Sequence, residues 1–176
     1  ASGTTAPPHK PTFMSCTPRA AVPDLPPVTG FCDLASAMND DGSTSLPGGL
    51  RLPKSDPLFD ALGSLDELNA ALGLLRAHPA VAAEAVLLES LQRLLLEIGA
   101  ELATGQARLD PGASAGLECE TARLAAGRPP PCAFVLPGAG EAAARAHGAR
   151  AISRRAERDL VRARAAHPDR VFPPAL

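Results

Sequence analysis

From Leu58 onward, apolar residues recur with helical spacing: Leu58, Leu62, Leu65, Leu68, Leu72 and Leu75 follow one another at intervals of three and four. This pattern predicts a helix that ends at His78-Pro79, because the residue before a proline is pushed out of the helical region. A second helix is predicted from about Ala80 to Thr104. Its apolar positions are Val86, Leu87, Leu91, Leu94, Leu95, Ile98 and Leu102, and Gly105 with the Asp110-Pro111-Gly112 turn closes it. A weaker, short helix follows from about Ala115 to Ala126, before "GRPPPCAFVLPGAG" interrupts the periodicity. The last helix runs from about Glu141 to Ala166 and stops at His167-Pro168. Helices of this length joined by short loops predict an all-α fold, an antiparallel bundle of four or five helices.

Upstream the periodicity is absent. The first thirty or so residues are rich in Pro, Thr and Ala, with Asp24 the only acid. Such a stretch cannot bury enough apolar surface to fold alone. Residues 1–33 are therefore expected to form a disordered leader or a targeting segment, and residues 34–176 the helical domain. From Phe31 to Pro57, around "NDDGSTSLPGG", the chain is expected to be irregular.

Composition sharpens this picture. The 176 residues are 45% hydrophobic, enough for one core, with five Phe and no Trp or Tyr. The core must then come from Leu, Ala, Val and Ile, which favours helices over a sheet. A formal net charge of -2 argues against a general nucleic-acid binder. No apolar run approaches the roughly 18 residues of a membrane span. Neither nucleic acid nor membrane is an expected partner, and a cytoplasmic protein is expected, or a mitochondrial one if the leader is a transit peptide. Cys16, Cys32, Cys119 and Cys132 form no C-x-x-C pair and have no His at zinc spacing, so reduced thiols are expected.

Charge is distributed unevenly. Asp56 to Glu120 holds eleven acidic and three basic residues, whereas Glu141 to Leu176 holds eight arginines and four acids. The two segments should attract each other, within a chain or between chains. On the last predicted helix Arg150, Arg154 and Glu157 form one stripe with His147 a turn earlier, and Arg155, Arg158 and Arg162 form a second. Ala149, Ile152, Ala156 and Leu160 supply an apolar face. Such stripes are either a solvated surface or a polyphosphate site, where guanidinium forks bind phosphate oxygens bidentately and a glutamate holds a metal or a sugar hydroxyl. Periodicity does not choose between them. The run "DDGSTSLPGG" offers Gly42, hydroxyls at Ser43, Thr44 and Ser45, and Lys54 beyond it, without a Walker A pattern.

Three stretches together resemble the PduO-type ATP:cob(I)alamin adenosyltransferase family. "DDGSTSLPGGLRLPKSDPLFDALGSLDELNAALG" resembles its glycine loop, Pro-Lys-x-Asp element and Asp-Glu-Leu helix. "LQRLLLEIGAELATG" is similar to its Ile-Gln-x-x-Leu-x-x-x-Gly-x-x-Leu-Ala-Thr helix, and "AFVLPGAGEAAARAHGARAISRRAER" to its Phe-Ile-Leu-Pro-Gly-Gly and Arg-Arg-Ala-Glu-Arg motifs. The resemblance implies a helical bundle assembling as a homotrimer, with active sites between subunits. It implies attack by cob(I)alamin on the 5′ carbon of ATP, giving adenosylcobalamin and triphosphate, with Mg2+ as cofactor. By matching position Thr44, Ser45 and Lys54 would contact the phosphates. Arg154, Arg155, Glu157 and Arg158 would complete the nucleotide site, with Arg154 and Glu157 catalytic and Glu157 a magnesium or ribose contact. Asp66 and Arg150 would pair across the subunit boundary. Phe134 matches the aromatic residue below the corrin ring; taken alone it would read as a core aromatic. A reductase or an adenosylcobalamin-dependent enzyme is the implied protein partner.

Two departures accompany the resemblance. Ala35-Ser36-Ala37-Met38-Asn39-Asp40 stands where the family usually has Tyr-Thr-x-Thr-Gly-Asp. The sequence reaches "VFPPAL" where the family continues with a helix bearing Asn-Arg-Leu-Ser-Asp, so a domain truncated at its C-terminus is expected. Both leave a catalytically impaired assembly or corrinoid-carrier paralogue as the alternative.

Overall fold

Asp56 opens the first helix, α1 (Pro57–Arg76): its carboxylate accepts the Leu58 N–H at 2.9 Å, and Pro57 takes the first helical position, where no donor is lost. The computed structural model describes residues 41–129 and 132–172. The predicted leader and the Ala35–Asp40 stretch lie outside them. After α1 the chain turns through 114°. His78 then caps a short 3-10 helix, Pro79–Glu84, accepting the Ala80 N–H at 3.1 Å. The second helix does not start at Ala80 as expected: α2 is Ala85–Thr104. Val81 sits at φ -114°, ψ 20°, and the small residues between Pro79 and Ala85 offer no apolar stripe to hold an α turn. Gly105, at φ 70°, ends α2 in the left-handed conformation and returns its N–H to the Glu101 carbonyl at 2.8 Å. Two more helices follow, α3 (Ala113–Ala125) and α4 (Glu141–Ala166).

The segment expected to be irregular contains a β-hairpin, β1 (Ser43–Ser45) paired antiparallel with β2 (Arg51–Pro53). Three-residue strands are too short to show alternation in a sequence. Gly48 and Gly49, at φ 97° and 86°, form the turn between them, a conformation that side chains with a Cβ resist. The hairpin is anchored by Leu46, which is buried, and by Leu52, which packs on the core.

α1 is the central helix, packed most extensively against α4 and next against α2. α1 and α4 run antiparallel. His167 at the end of α4 meets Asp56 at the start of α1 (2.7 Å), Ser64 meets Asp159 (2.5 Å), and Arg145 near the start of α4 reaches the Leu74 carbonyl. Leu58, Ala61 and Leu65 of α1, Ile98 and Leu102 of α2, and Ala156, Leu160 and Ala163 of α4 share one core with Leu46. Burying each large aliphatic side chain contributes about 1.5–3 kcal/mol. Between α1 and α2, Asn69 and Gln92 clamp one another: the Asn69 amide donates to the Gln92 carbonyl (3.2 Å), and Gln92 Nε2 donates to the Asn69 carbonyl (3.1 Å). After α4, Arg170 folds back and donates to the last carbonyls of α2, at Leu102 (2.9 and 2.5 Å) and Ala103 (2.8 Å). α3 buries none of its residues; Arg123 ties it to Glu84 at 3.1 Å. Cys119 on α3 is disulfide-bonded, contrary to the expectation of reduced thiols, whereas Cys132 is free and exposed.

Candidate functional site

Three of the five buried residues of α4 are alanines. Ala149, Ala156 and Leu160 are buried, as the apolar periodicity predicted, and Ile152 is half-buried; Ala163, outside the predicted face, is buried with them. Asp159 is buried among them, and nothing in a charge count marks it as inward-facing. Its Oδ2 accepts the Ser64 hydroxyl at 2.5 Å and its Oδ1 accepts Arg162 at 2.9 Å. Its spacing was the available signal: Asp159 lies three residues after Ala156 and four before Ala163, within the buried stripe.

The arginines divide between two situations. Arg155 forms an ion pair with Glu67 of α1, and Arg162 with Asp159. The predicted attraction between the acidic and basic segments takes the form of the Arg155–Glu67 pair, whereas Arg162 and Asp159 both belong to α4. Arg150, Arg154 and Glu157 are exposed, and among the described residues their side chains make no hydrogen bond or ion pair within the chain. Arg158 is exposed as well and donates to the Arg154 carbonyl at 2.9 Å. Asp66 and Arg150 are both exposed, Asp66 on α1 and Arg150 on α4, and do not pair within the chain. Val161, 64% exposed, continues this outer face toward the end of α4.

The hairpin carries the other predicted phosphate contacts. Thr44 lies opposite Leu52 in the ladder, so both project from one face, and Thr44 is half-buried. Ser45, the next residue, projects from the other face and is exposed, as is Lys54. Asp41 fixes the entry to the hairpin: the Ser43 hydroxyl (2.8 Å) and N–H (3.0 Å), together with Arg51 (2.7 Å), hold its carboxyl down to about 2. It is fully ionised at neutral pH. No hydrogen bond or ion pair within the chain joins Thr44, Ser45 or Lys54 to Arg154, Arg155, Glu157 or Arg158.

Phe134 is fully exposed, and its neighbours Val135 and Leu136 are 65% and 92% exposed. The core-aromatic reading therefore fails within a single chain: three consecutive large apolar side chains stand in solvent. At the end of α4 a recess of about 550 Å³ is lined by Val161, Arg164, Ala165, Pro168, Arg170 and Phe172, none of them a predicted site residue. No group of three or more His, Cys, Asp or Glu side chains among the described residues is arranged to hold a metal. No single helix among them is long and apolar enough to cross a membrane.

With this geometry in hand, the comparisons with known proteins are specific. The family model described as cobalamin adenosyltransferase matches residues 35–175. The corrinoid adenosyltransferase PduO of Salmonella typhimurium is 42% identical over 129 residues, covering 69% of this chain but 38% of its own length. The chain thus spans about two fifths of that relative. The cobalamin adenosyltransferase of Cupriavidus metallidurans is 38% identical over 131 residues, covering 73% of this chain and 71% of its own. Among solved structures, a variant of the PduO-type ATP:corrinoid adenosyltransferase from Lactobacillus reuteri complexed with cobalamin and ATP superposes with a TM-score of 0.67 at 29% identity. The match covers 76% of this chain and 75% of that one.

Proposed function

The chain belongs to the cobalamin adenosyltransferase family, and on that footing we propose that it transfers the 5′-deoxyadenosyl group of ATP to cob(I)alamin. The cobalt–carbon bond forms as the bond from the 5′ carbon to oxygen breaks, and the electron pair leaves with triphosphate. Charge accumulates on that leaving group. Fixed guanidinium donors aimed at the phosphate oxygens lower the barrier, because they need no reorganisation as the charge develops. Arg154 and Arg158 on the outer face of α4 supply these donors, with Arg155 beside them. Lys54 and the exposed Ser45 reach the same phosphates, and Thr44 borders them from the half-buried face of the hairpin.

The observation that carries this reading is the outer face of α4. Among the described residues Arg150, Arg154 and Glu157 are left without intrachain partners, although Glu67 and Asp159 engage Arg155 and Arg162 of the same helix. A homotrimer with sites between subunits accounts for them: a neighbouring copy presents Asp66 to Arg150 and its hairpin to Arg154. It also covers the exposed Phe134, Val135 and Leu136, with Phe134 set beneath the corrin to exclude an axial ligand from cobalt. With no three-residue ligand cluster among the described residues, Mg2+ would be held by the phosphates with Glu157 as a single carboxylate contact, the usual mode for this ion. Bound there, it would neutralise part of the triphosphate charge. A cytoplasmic setting, with a reductase that supplies cob(I)alamin or an enzyme that consumes adenosylcobalamin as partner, completes the proposal.

Purified protein incubated with ATP, MgCl2 and chemically reduced cobalamin is expected to give the absorbance spectrum of adenosylcobalamin together with free triphosphate. Protein that binds neither ATP nor cobalamin refutes the proposal. Binding of cobalamin without turnover selects the second reading, a corrinoid carrier, which the substituted Ala35–Asp40 stretch favours.

A further inference from the structure

We infer that Ser64 and Asp159 are a positioning pair that sets the rotation of α4 about its axis and thereby aims Arg154, Glu157 and Arg158. The inference rests on the nucleotide site proposed above. α4 meets α1 through Ala149, Ala156 and Ala163, with Leu160 the one large side chain buried on it among the described residues. Alanines make a shallow ridge, and shallow ridges define the rotation of one helix against another poorly. Directional bonds can supply what interdigitation does not. The Ser64–Asp159 bond joins the two helices across this smooth seam, at 2.5 Å and with both partners 7% exposed.

Buried polar contacts of this kind add little net stability but penalise alternative arrangements, in which a desolvated group would lose its partner. Asp159 follows Arg158 directly and lies about 140° around the helix from Arg154 at 3.6 residues per turn. A slip by one residue would turn the arginine stripe by about 100° and break the buried bond in the same movement. The Arg162–Asp159 pair occupies the second carboxylate oxygen, and the Arg155–Glu67 pair lies one turn earlier in α4 on the same side. Because Glu67 and Arg155 are both exposed, they tolerate rotation that Ser64 and Asp159 do not.

The test titrates the full chain with ATP in the presence of MgCl2 by calorimetry, well below the thermal midpoint, and records that midpoint in parallel. Ser64→Thr keeps the hydroxyl and is expected to bind ATP like the parent. Ser64→Ala is expected to bind about tenfold more weakly while remaining folded, the scale on which small misplacements of charged donors act. The double variant Ser64→Ala/Asp159→Leu replaces the pair with apolar side chains. It is expected to melt at or above the temperature of Ser64→Ala and still to bind ATP about tenfold more weakly. Removing a carboxylate beside a polyanion site would, by charge alone, tighten binding, so weakening has the sign that only misaiming gives. ATP affinity unchanged in Ser64→Ala, or restored in the double variant, overturns the inference. A parent that takes up no ATP instead overturns the proposed function, and the inference with it.

Discussion

The two faces of α4 use the same residue types to opposite ends. On the side turned to α1, alanines and Leu160 are buried, and the flanking charges Arg155, Asp159 and Arg162 are matched within the chain. On the side turned away, Arg150, Arg154 and Glu157 have no match among the described residues, and Val161 stands exposed among them. On the proposed function, the charges of the paired face serve the fold, and the open ones are kept for a ligand or a second subunit. The segment bearing Phe134 repeats this contrast in apolar form: α1 hides Leu58 and Leu65 in the core, while Phe134, Val135 and Leu136 are left outside.

Substitutions on the two faces should therefore fail in different ways. Arg154→Glu is expected to have the largest effect, a loss of about 3 kcal/mol or more in ATP binding, as when a charge-assisted partner is replaced by its opposite. Its thermal midpoint should stay near that of the parent. A large fall in that midpoint would place Arg154 with the structural charges. Leu58→Ala, in the core beneath α4, is expected to show the reverse: about 3 kcal/mol of stability lost in denaturant titration, with ATP affinity kept in the fraction that folds. Phe134→Ala should change stability by no more than about 0.5 kcal/mol while slowing adenosyl transfer on the order of tenfold. A clear loss of stability in the isolated chain would return Phe134 to the core.

Two smaller effects test the paired side. Burial alone would raise the Asp56 carboxyl, but hydrogen bonds from His167 and the Leu58 N–H outweigh it and hold the carboxyl below its ordinary range. The stability this contributes is complete above about pH 4 and disappears as pH falls through the folded-state value. Asp56→Asn should therefore cost about 1 kcal/mol at neutral pH and flatten the decline in melting temperature below about pH 4. Glu67→Gln removes the partner of Arg155 at a half-exposed position and should cost under about 1 kcal/mol. If it weakens ATP binding as much as Arg154→Glu does, Arg155 belongs to the open face.

Much of the bundle was legible from spacing. α1 and α4 were placed within a residue or two because their leucines and alanines recur over five or more turns and end at His-Pro. The hairpin was not, since each strand has three residues and one of them is Ser-Thr-Ser. Buried carboxylates were equally hidden. Glu101, 1% exposed, accepts the Arg108 and Leu109 N–H groups at 2.9 and 3.1 Å, partners that only the loop after α2 can bring to it. Among the candidate site residues, motif spacing picked out Arg154, Glu157 and Lys54, but it did not separate Arg155, which is paired, from Arg154, which is not.

The sequence by itself determined where the helices lie, which side of each is apolar, and that arginines line α4, because a helix imposes its period on local spacing. The tertiary structure decided which of those charges the chain satisfies for itself. Pairing depends on what a second helix places opposite each side chain, and residues such as Ser64 and Asp159, 95 positions apart, meet only once the bundle has closed.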